Sequence, residues 1–221
     1  MACQTHRKLF PHSSRFLLLF STAVFITCLV VFVLLAYHVV HLRRETFDRP
    51  LMLYFYEHRY PALVRTMRFL TFFGSGFFLL PAYMLLVGYL WFKRLFREAL
   101  AIAVIAFLSW LFLSQLKVFF HRHRPDLPLL TDITTYSFPS AHAFSSLIFF
   151  SILSFVIWKS GKPSWLNRFV VFTLLLLPVF IGLSRIVLNV HYPTDVLAGY
   201  CLATMWLILS YGVFRRLTPA S

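Results

Sequence analysis

Long apolar runs separated by short polar segments set the pattern of this chain. Six runs, at about 16–40, 69–92, 99–120, 141–158, 169–187 and 194–214, are long enough to cross a bilayer, which takes about 20 residues in helical form. Backbone polar groups inside a bilayer must be satisfied within the segment, so each run predicts a helix. The first run resembles a secretory leader, because Arg7, Lys8 and Arg15 precede it. Its apolar stretch exceeds the roughly 7–15 residues of a leader core, and no small-x-small cleavage site follows. It reads as an anchor that stays. With no internal repeat and no low-complexity linker, the expectation is an all-α, six-helix transmembrane bundle forming one domain over residues 1–221.

Composition supports that class. Of 221 residues, 60% are hydrophobic and 13% are charged, and 27 are Phe, far from the balance of a soluble domain. The net charge of +14 invites a nucleic-acid partner, but no polar domain exists to carry it. Spread over loops, it suits anionic headgroups and phosphorylated substrates instead. Cys28 and Cys201 fall within runs and Cys3 lies near the N-terminus, so no disulfide framework is visible. Seven scattered acidic residues and the absence of a Cys-x-x-Cys or His-Glu-x-x-His spacing predict no metal and no cofactor. Nothing in the pattern sets an oligomeric state.

Six spans put both termini on one side. Of the 21 Lys and Arg, 11 fall on that side and 10 on the other, so the raw split does not orient the chain. The short loops on the terminal side are basic with little acid, as cytoplasmic loops tend to be. The expected topology therefore has cytoplasmic termini. The one long loop, 43–68, mixes Arg59, Arg65 and Arg68 with Leu, Tyr and Phe and suits either an interfacial helix or an ordinary surface loop.

Three polar clusters fall at span ends on the opposite, outer side. The first is Lys117-x6-Arg124-Pro125. Seven residues place Lys117 and Arg124 on nearly one helix face, with Pro125 expected to stop that helix just after Arg124. Taken alone, such cations are commonly snorkelling anchors. The second cluster is Pro139-Ser140-Ala141-His142. Pro139 is expected at the first helical position, followed by free amides, the Ser140 hydroxyl and His142, an arrangement suited to an anion. Alone it is only a helix start. The third is Ser184-Arg185-x5-His191-x3-Asp195. Pro193 can begin a helix, placing Asp195 in its first turn, where the carboxylate reaches back to His191 and leaves the other ring nitrogen as a nucleophile. A lone His–Asp pair is more often structural. Charged groups near a bilayer are costly, however, and rarely kept without a task.

The joint pattern resembles the type 2 phosphatidic acid phosphatase superfamily, whose signature is Lys-x6-Arg-Pro, Pro-Ser-Gly-His and Ser-Arg-x5-His-x3-Asp. The first and third motifs match at every specified position, and Ala141 replaces the usual glycine in the second. The resemblance implies a metal-independent lipid phosphatase with its site at the outer ends of the third to sixth spans. In that reading His191 is the nucleophile that becomes phosphohistidine, Asp195 its orienting partner, and His142 the acid for the leaving oxygen. Lys117, Arg124, Ser140, the Ala141 amide and Arg185 form the phosphate clamp. His121 and His123 match no motif position. The implied substrate is a phosphorylated membrane lipid: phosphatidic acid, phosphatidylglycerol phosphate, undecaprenyl diphosphate or a lipid A phosphate. The implied setting is a bacterial inner membrane with a periplasmic site. Lipid-to-lipid phosphotransfer, a non-catalytic phospholipid-binding role and transport are the alternatives.

Overall fold

Apolar runs became helices, and their ends gather the polar clusters. The computed structural model describes residues 14–42, 47–126, 135–160 and 164–217. The helices are α1 (Ser14–Tyr37), α2 (Asp48–Glu57), α3 (Pro61–Phe72), α4 (Gly76–Phe92), α5 (Phe96–Phe120), α6 (Ala141–Ser160), α7 (Trp165–Val187) and α8 (Pro193–Leu217). A π-helical turn, His38–Leu42, extends α1. Six stretches are long and apolar enough to cross a membrane: Arg15–Val40, Pro61–Phe92, Phe96–Phe120, Ala141–Lys159, Trp165–Val187 and Pro193–Gly212. Expectations resting on Cys3, Arg7, Lys8, Arg43, Arg44 and Lys162 lie outside the described residues.

Helices α6, α7 and α8 form the centre, and α1 lines the outside of α8. Leu113, Phe144, Ile148, Leu202 and Met205 pack between α5, α6 and α8, with Phe25, Cys28 and Phe32 of α1 against them. A second cluster joins Leu79, Leu86 and Leu90 of α4 to Phe149, Phe150 and Ile181. Pro178 lies inside α7, where a proline leaves a carbonyl without its usual helical donor. The Tyr200 hydroxyl of α8 donates to the Pro178 carbonyl itself at 2.6 Å, tying α8 to α7 at this proline.

Of the long stretch at 43–68, the described residues are mainly helical. It carries α2 and most of α3, and the span expected at 69–92 extends back to Pro61 through a break at Phe73–Ser75. Ser75 restarts the helix by accepting a hydrogen bond from the Phe78 amide at 3.3 Å, as N-cap serines do. Helix α3 packs its Met67 on Val187, Leu188 and Val190, so it covers the α7–α8 connection. Two glycines permit close approach. A Cβ on Gly74, in the break, would meet His142 Cδ2 at 3.0 Å, and one on Gly199 would meet the Ser140 carbonyl at 2.7 Å. Side-chain-free backbone at these two points brings α4 and α8 against the start of α6.

Candidate active site

The α7–α8 connection is built to turn His191 back into the bundle. Asn189 has φ 55°, a left-handed conformation that asparagine tolerates better than most residues. The Val190 amide donates to the Arg185 carbonyl at 3.1 Å and the Asn189 amide to the Ile186 carbonyl at 2.9 Å, the two bonds of a Schellman ending. Pro193 then starts α8, as expected, and Asp195 is its third residue. Asp195 Oδ2 accepts the Tyr192 amide at 2.9 Å while the Asp195 amide donates to the Tyr192 carbonyl at 3.0 Å. This is the acidic half of a capping box, favoured also by the helix dipole.

His191 and Asp195 are both buried, and His191 Nδ1 faces Asp195 Oδ2 at 3.3 Å. A carboxylate is an acceptor only, so the facing Nδ1 carries the proton and Nε2 keeps its lone pair. Nε2 looks toward Arg124 Nη1 at 3.2 Å. Burial, together with the charges of Arg185, Lys117 and Arg124, holds the His191 pKa well below the ordinary imidazole range. His191 is therefore a neutral imidazole at physiological pH.

Arg124 arrives by a different route from the one its spacing suggested. Helix α5 ends at Phe120, where His121 adopts φ 47° and its amide returns to the Lys117 carbonyl. Arg124 is thus on an irregular segment, not on the helix face of Lys117, and Pro125 is not the residue that stops the helix. Leaving the helix early lets Arg124 fold back, donating to the Val190 carbonyl at 2.6 Å and the Thr135 carbonyl at 2.8 Å. Burial depresses its pKa and the Asp195 charge opposes that. Lys117 stays on α5, buried, with its ammonium donating to the Tyr136 carbonyl at 2.5 Å.

The start of α6 also differs from expectation. The helix begins at Ala141, and Pro139 precedes it after a cis peptide bond instead of occupying the first helical position. The Ser140 amide donates to the Asp195 carbonyl at 3.0 Å, which ties α6 to α8. The Ser140 hydroxyl is buried and has no hydrogen-bond partner among the described residues. His142, in the first turn of α6, is near His191 and close enough to Arg185, Lys117 and Arg124 to feel their charges. Arg185, near the end of α7, is buried, gives Nη1 to the Thr71 hydroxyl at 2.6 Å and keeps Nε without a partner among the described residues. A buried donor without an acceptor is costly, so Ser140 Oγ and Arg185 Nε mark a place shaped for acceptor atoms.

Sequence reasoning passed over several residues that shape the site. Arg122 Nη1 donates to Asp195 Oδ1 at 2.6 Å and Nη2 to Asp48 Oδ2 at 2.8 Å. Burial works against the Arg122 charge, but Asp195 and Asp48 outweigh it and raise its pKa. Asp48 also accepts the Thr194 amide at 3.0 Å and the Thr194 hydroxyl at 2.8 Å. The Ser137 hydroxyl donates to Asp195 Oδ2. The available signals were thin: Asp48 is one of only seven acids, and Arg122 lies two residues from a motif position. Among the described residues, no three His, Cys, Asp or Glu side chains gather as metal ligands.

Comparison with known proteins agrees on one family. The sequence model of the PAP2 superfamily matches residues 98–219, more than half of the chain. Phosphatidylglycerophosphatase B of Bacillus subtilis is 27% identical over 160 residues, covering 72% of this chain and 79% of that protein. Decaprenylphosphoryl-5-phosphoribose phosphatase of Mycobacterium tuberculosis is 34% identical over 149 residues, covering 64% of this chain and 75% of the relative. The fold matches the crystal structure of a transmembrane PAP2-type phosphatidylglycerolphosphate phosphatase from Bacillus subtilis. The TM-score is 0.81 at 24% identity, over 89% of this chain and 98% of that one. Aquifex aeolicus LpxE follows with a TM-score of 0.57 at 24% identity, over 75% and 94%.

Proposed function

The chain belongs to the PAP2 superfamily, and from that premise we propose that it is a membrane lipid phosphatase acting through a phosphohistidine on His191. The observation that carries this reading is His191 itself: Nδ1 faces Asp195 and Nε2 faces the Arg124 guanidinium. Charge supports it. Of the four cations Lys117, Arg122, Arg124 and Arg185, Arg122 pairs with both buried carboxylates, Asp48 and Asp195, and the set of four against two leaves two positive charges in excess. Buried charge without compensation is expensive, and a phosphate monoester dianion supplies the matching two.

Phosphate oxygens accept from Lys117, Arg124, Arg185 Nε, Ser140 Oγ and the Ala141 amide in this reading. Arg124 turns its N–H from His191 Nε2 to the phosphate, freeing the lone pair beside the phosphorus. Nε2 then forms the N–P bond as the bond to the leaving oxygen breaks, and His142 gives that oxygen its proton. Asp195 stabilises the imidazolium that develops. Water next attacks the phosphohistidine, His142 takes its proton, and inorganic phosphate departs. Nearly all the protein's contribution is positioning and charge neutralisation, as phosphoryl transfer requires. Ala141 is compatible with this arrangement, because a helical alanine still donates its amide.

A hydrocarbon tail has somewhere to lie. An apolar groove of about 590 Å³ runs between α4, α6 and α7, lined by Phe73, Phe78, Leu85, Phe149 and Leu177. Its Phe73 end adjoins Gly74, which packs on His142. A lipid whose phosphate reaches His191 would thus keep its tail in the bilayer-facing groove. A phosphate-release panel tests the reading, with phosphatidic acid, phosphatidylglycerol phosphate, undecaprenyl diphosphate and lipid A presented to detergent-purified protein. Release from at least one is expected, undiminished by excess EDTA, because protein cations neutralise the phosphate. Loss in EDTA restored by a divalent ion would overturn the mechanism.

We assign the site to the outer, periplasmic face, with cytoplasmic termini. Helix α2 reports on this, since Asp48 contacts Arg122 and Thr194 of the site. Cysteine at the exposed Glu57 of α2 is expected to react with an impermeant thiol reagent on intact cells. Cysteine at the exposed Arg97, near the opposite end of the bundle, is expected to react only after the inner face is opened. The reverse pattern would place the chemistry in the cytoplasm.

A further inference from the structure

Arg122 stands between two carboxylates that come from opposite ends of the chain. Its Nη1 serves Asp195 Oδ1 and the Thr194 hydroxyl, at 2.6 and 2.8 Å, and its Nη2 serves Asp48 Oδ2 at 2.8 Å. The guanidinium carbon lies 3.8 Å from the centre of the Tyr192 ring, so the plane is held by stacking as well. Asp195 therefore has its two oxygens divided. Oδ1 is pinned by Arg122, and Oδ2 takes the Ser137 hydroxyl and the Tyr192 amide and faces His191. Rotating that carboxylate would break the Arg122 contact, so the fork fixes which oxygen meets the imidazole.

Asp48 is the second half of the device. It is buried on α2, about 75 residues upstream of Arg122, and belongs to none of the three motifs. An Arg122 charge facing Asp195 alone would neutralise the carboxylate that has to stabilise the His191 imidazolium. A second carboxylate on the same guanidinium divides its field, leaving Asp195 more of its negative charge for His191. We propose that Asp48 and Arg122 are positioning residues for the reaction, Arg122 orienting Asp195 and Asp48 fixing Arg122 while offsetting its charge. The proposal rests on the reading of His191 as nucleophile and Asp195 as its partner.

The charged and titratable groups around His191 are Asp195 of α8, Lys117 of α5, Arg124 and Arg122 of the following segment, His142 of α6 and Arg185 of α7. Asp48 of α2 acts behind Arg122. Replacing Asp48 by Asn keeps the shape and removes one negative charge. The imidazolium of His191 is then less favoured, so the acid limb of kcat/KM moves to lower pH. The limb marks the pH below which His191 is protonated and unable to attack.

The test uses the detergent-purified full chain and phosphatidylglycerol phosphate micelles. Asp48→Asn is expected to lower kcat by about 10–100-fold with KM changed less than about 3-fold, the behaviour of a group acting through an oriented partner. The acid limb is expected to shift downward, which a merely structural contact would not cause. In an Asp195→Asn background, itself slowed by about 10³-fold, the added Asp48→Asn is expected to cost nothing further, because both act on one carboxylate. Additive losses, or an unchanged kcat in the single variant, would overturn the proposal. Should Asp48→Asn fail to fold, Arg122→Lys keeps the charge and removes the fork. It is expected to lose rate without moving the acid limb and to be non-additive with Asp195→Asn, additivity again overturning the idea. If Asp195→Asn alone leaves the rate intact, it is the reading of the nucleophile and its partner that fails.

Discussion

His191→Ala is expected to abolish turnover, with kcat falling on the order of 10⁶-fold, the scale seen when a covalent nucleophile is removed and only binding remains. No neighbouring group can replace it. Lys117 and Arg124 are engaged as donors to the Tyr136 and Val190 carbonyls, and the Ser137 hydroxyl is committed to Asp195. His142 lies in the first turn of α6 and, among the described residues, lacks the carboxylate partner that His191 has. The His191 ring has little solvent exposure, and an Ala leaves a small space lined by polar groups, so the variant should fold with its chromatographic profile intact. Rapid quenching of the wild type with labelled lipid is expected to trap acid-labile, base-stable phosphate on His191, and the variant should trap none. Label on any other residue would remove His191 from the reaction.

What was legible in the chain differed by element, for physical reasons. The spans were plain, because a bilayer imposes long apolar runs whatever packs against them. All-helical class and the gathering of His191, Asp195, Lys117, Arg124, Ser140 and Arg185 at one end also follow from local pattern plus alternation of spans. Helix ends were harder. Pro125 looked like the terminator of α5, yet His121 ends it four residues earlier by adopting a left-handed conformation, which a histidine does not advertise. Pro139 looked like a first helical residue, but the first helical bond runs from the Phe144 amide to the Ser140 carbonyl at 3.1 Å, so Ser140 caps the helix and Ala141 begins it. The stretch at 43–68 suited a helix or a loop equally, and its division into α2 and most of α3 was not marked, because both pieces are short and mix charged with apolar residues. Least legible was the Asp48–Arg122–Asp195 set, whose members meet across 74 and 73 positions of sequence. Periodicity and spacing carry no information about partners that distant.

His142→Ala is expected to slow lipid substrates by up to about 10⁴-fold, the upper range for loss of a positioned general acid, while sparing activated aryl phosphates. The reason lies in the leaving group. A lipid alkoxide has a high pKa and departs only if protonated as the P–O bond breaks, whereas a nitrophenolate leaves unassisted. A plot of log kcat/KM against leaving-group pKa should therefore be shallow for the wild type and steep for the variant, the lines meeting at acidic phenols. The break between α3 and α4 helps set this geometry, because Gly74 lets the backbone lie against the His142 ring. Gly74→Ala puts a methyl 2.5 Å from Ile181 Cγ2 and 3.0 Å from His142 Cδ2, so both side chains must shift, and the displaced acid should give a weaker form of the same steepening. Parallel lines for wild type and His142→Ala would show that the proton reaches the leaving oxygen from another source. Arg185 and the Ser140 hydroxyl would then be the groups to examine, because each has a buried donor atom without a partner among the described residues.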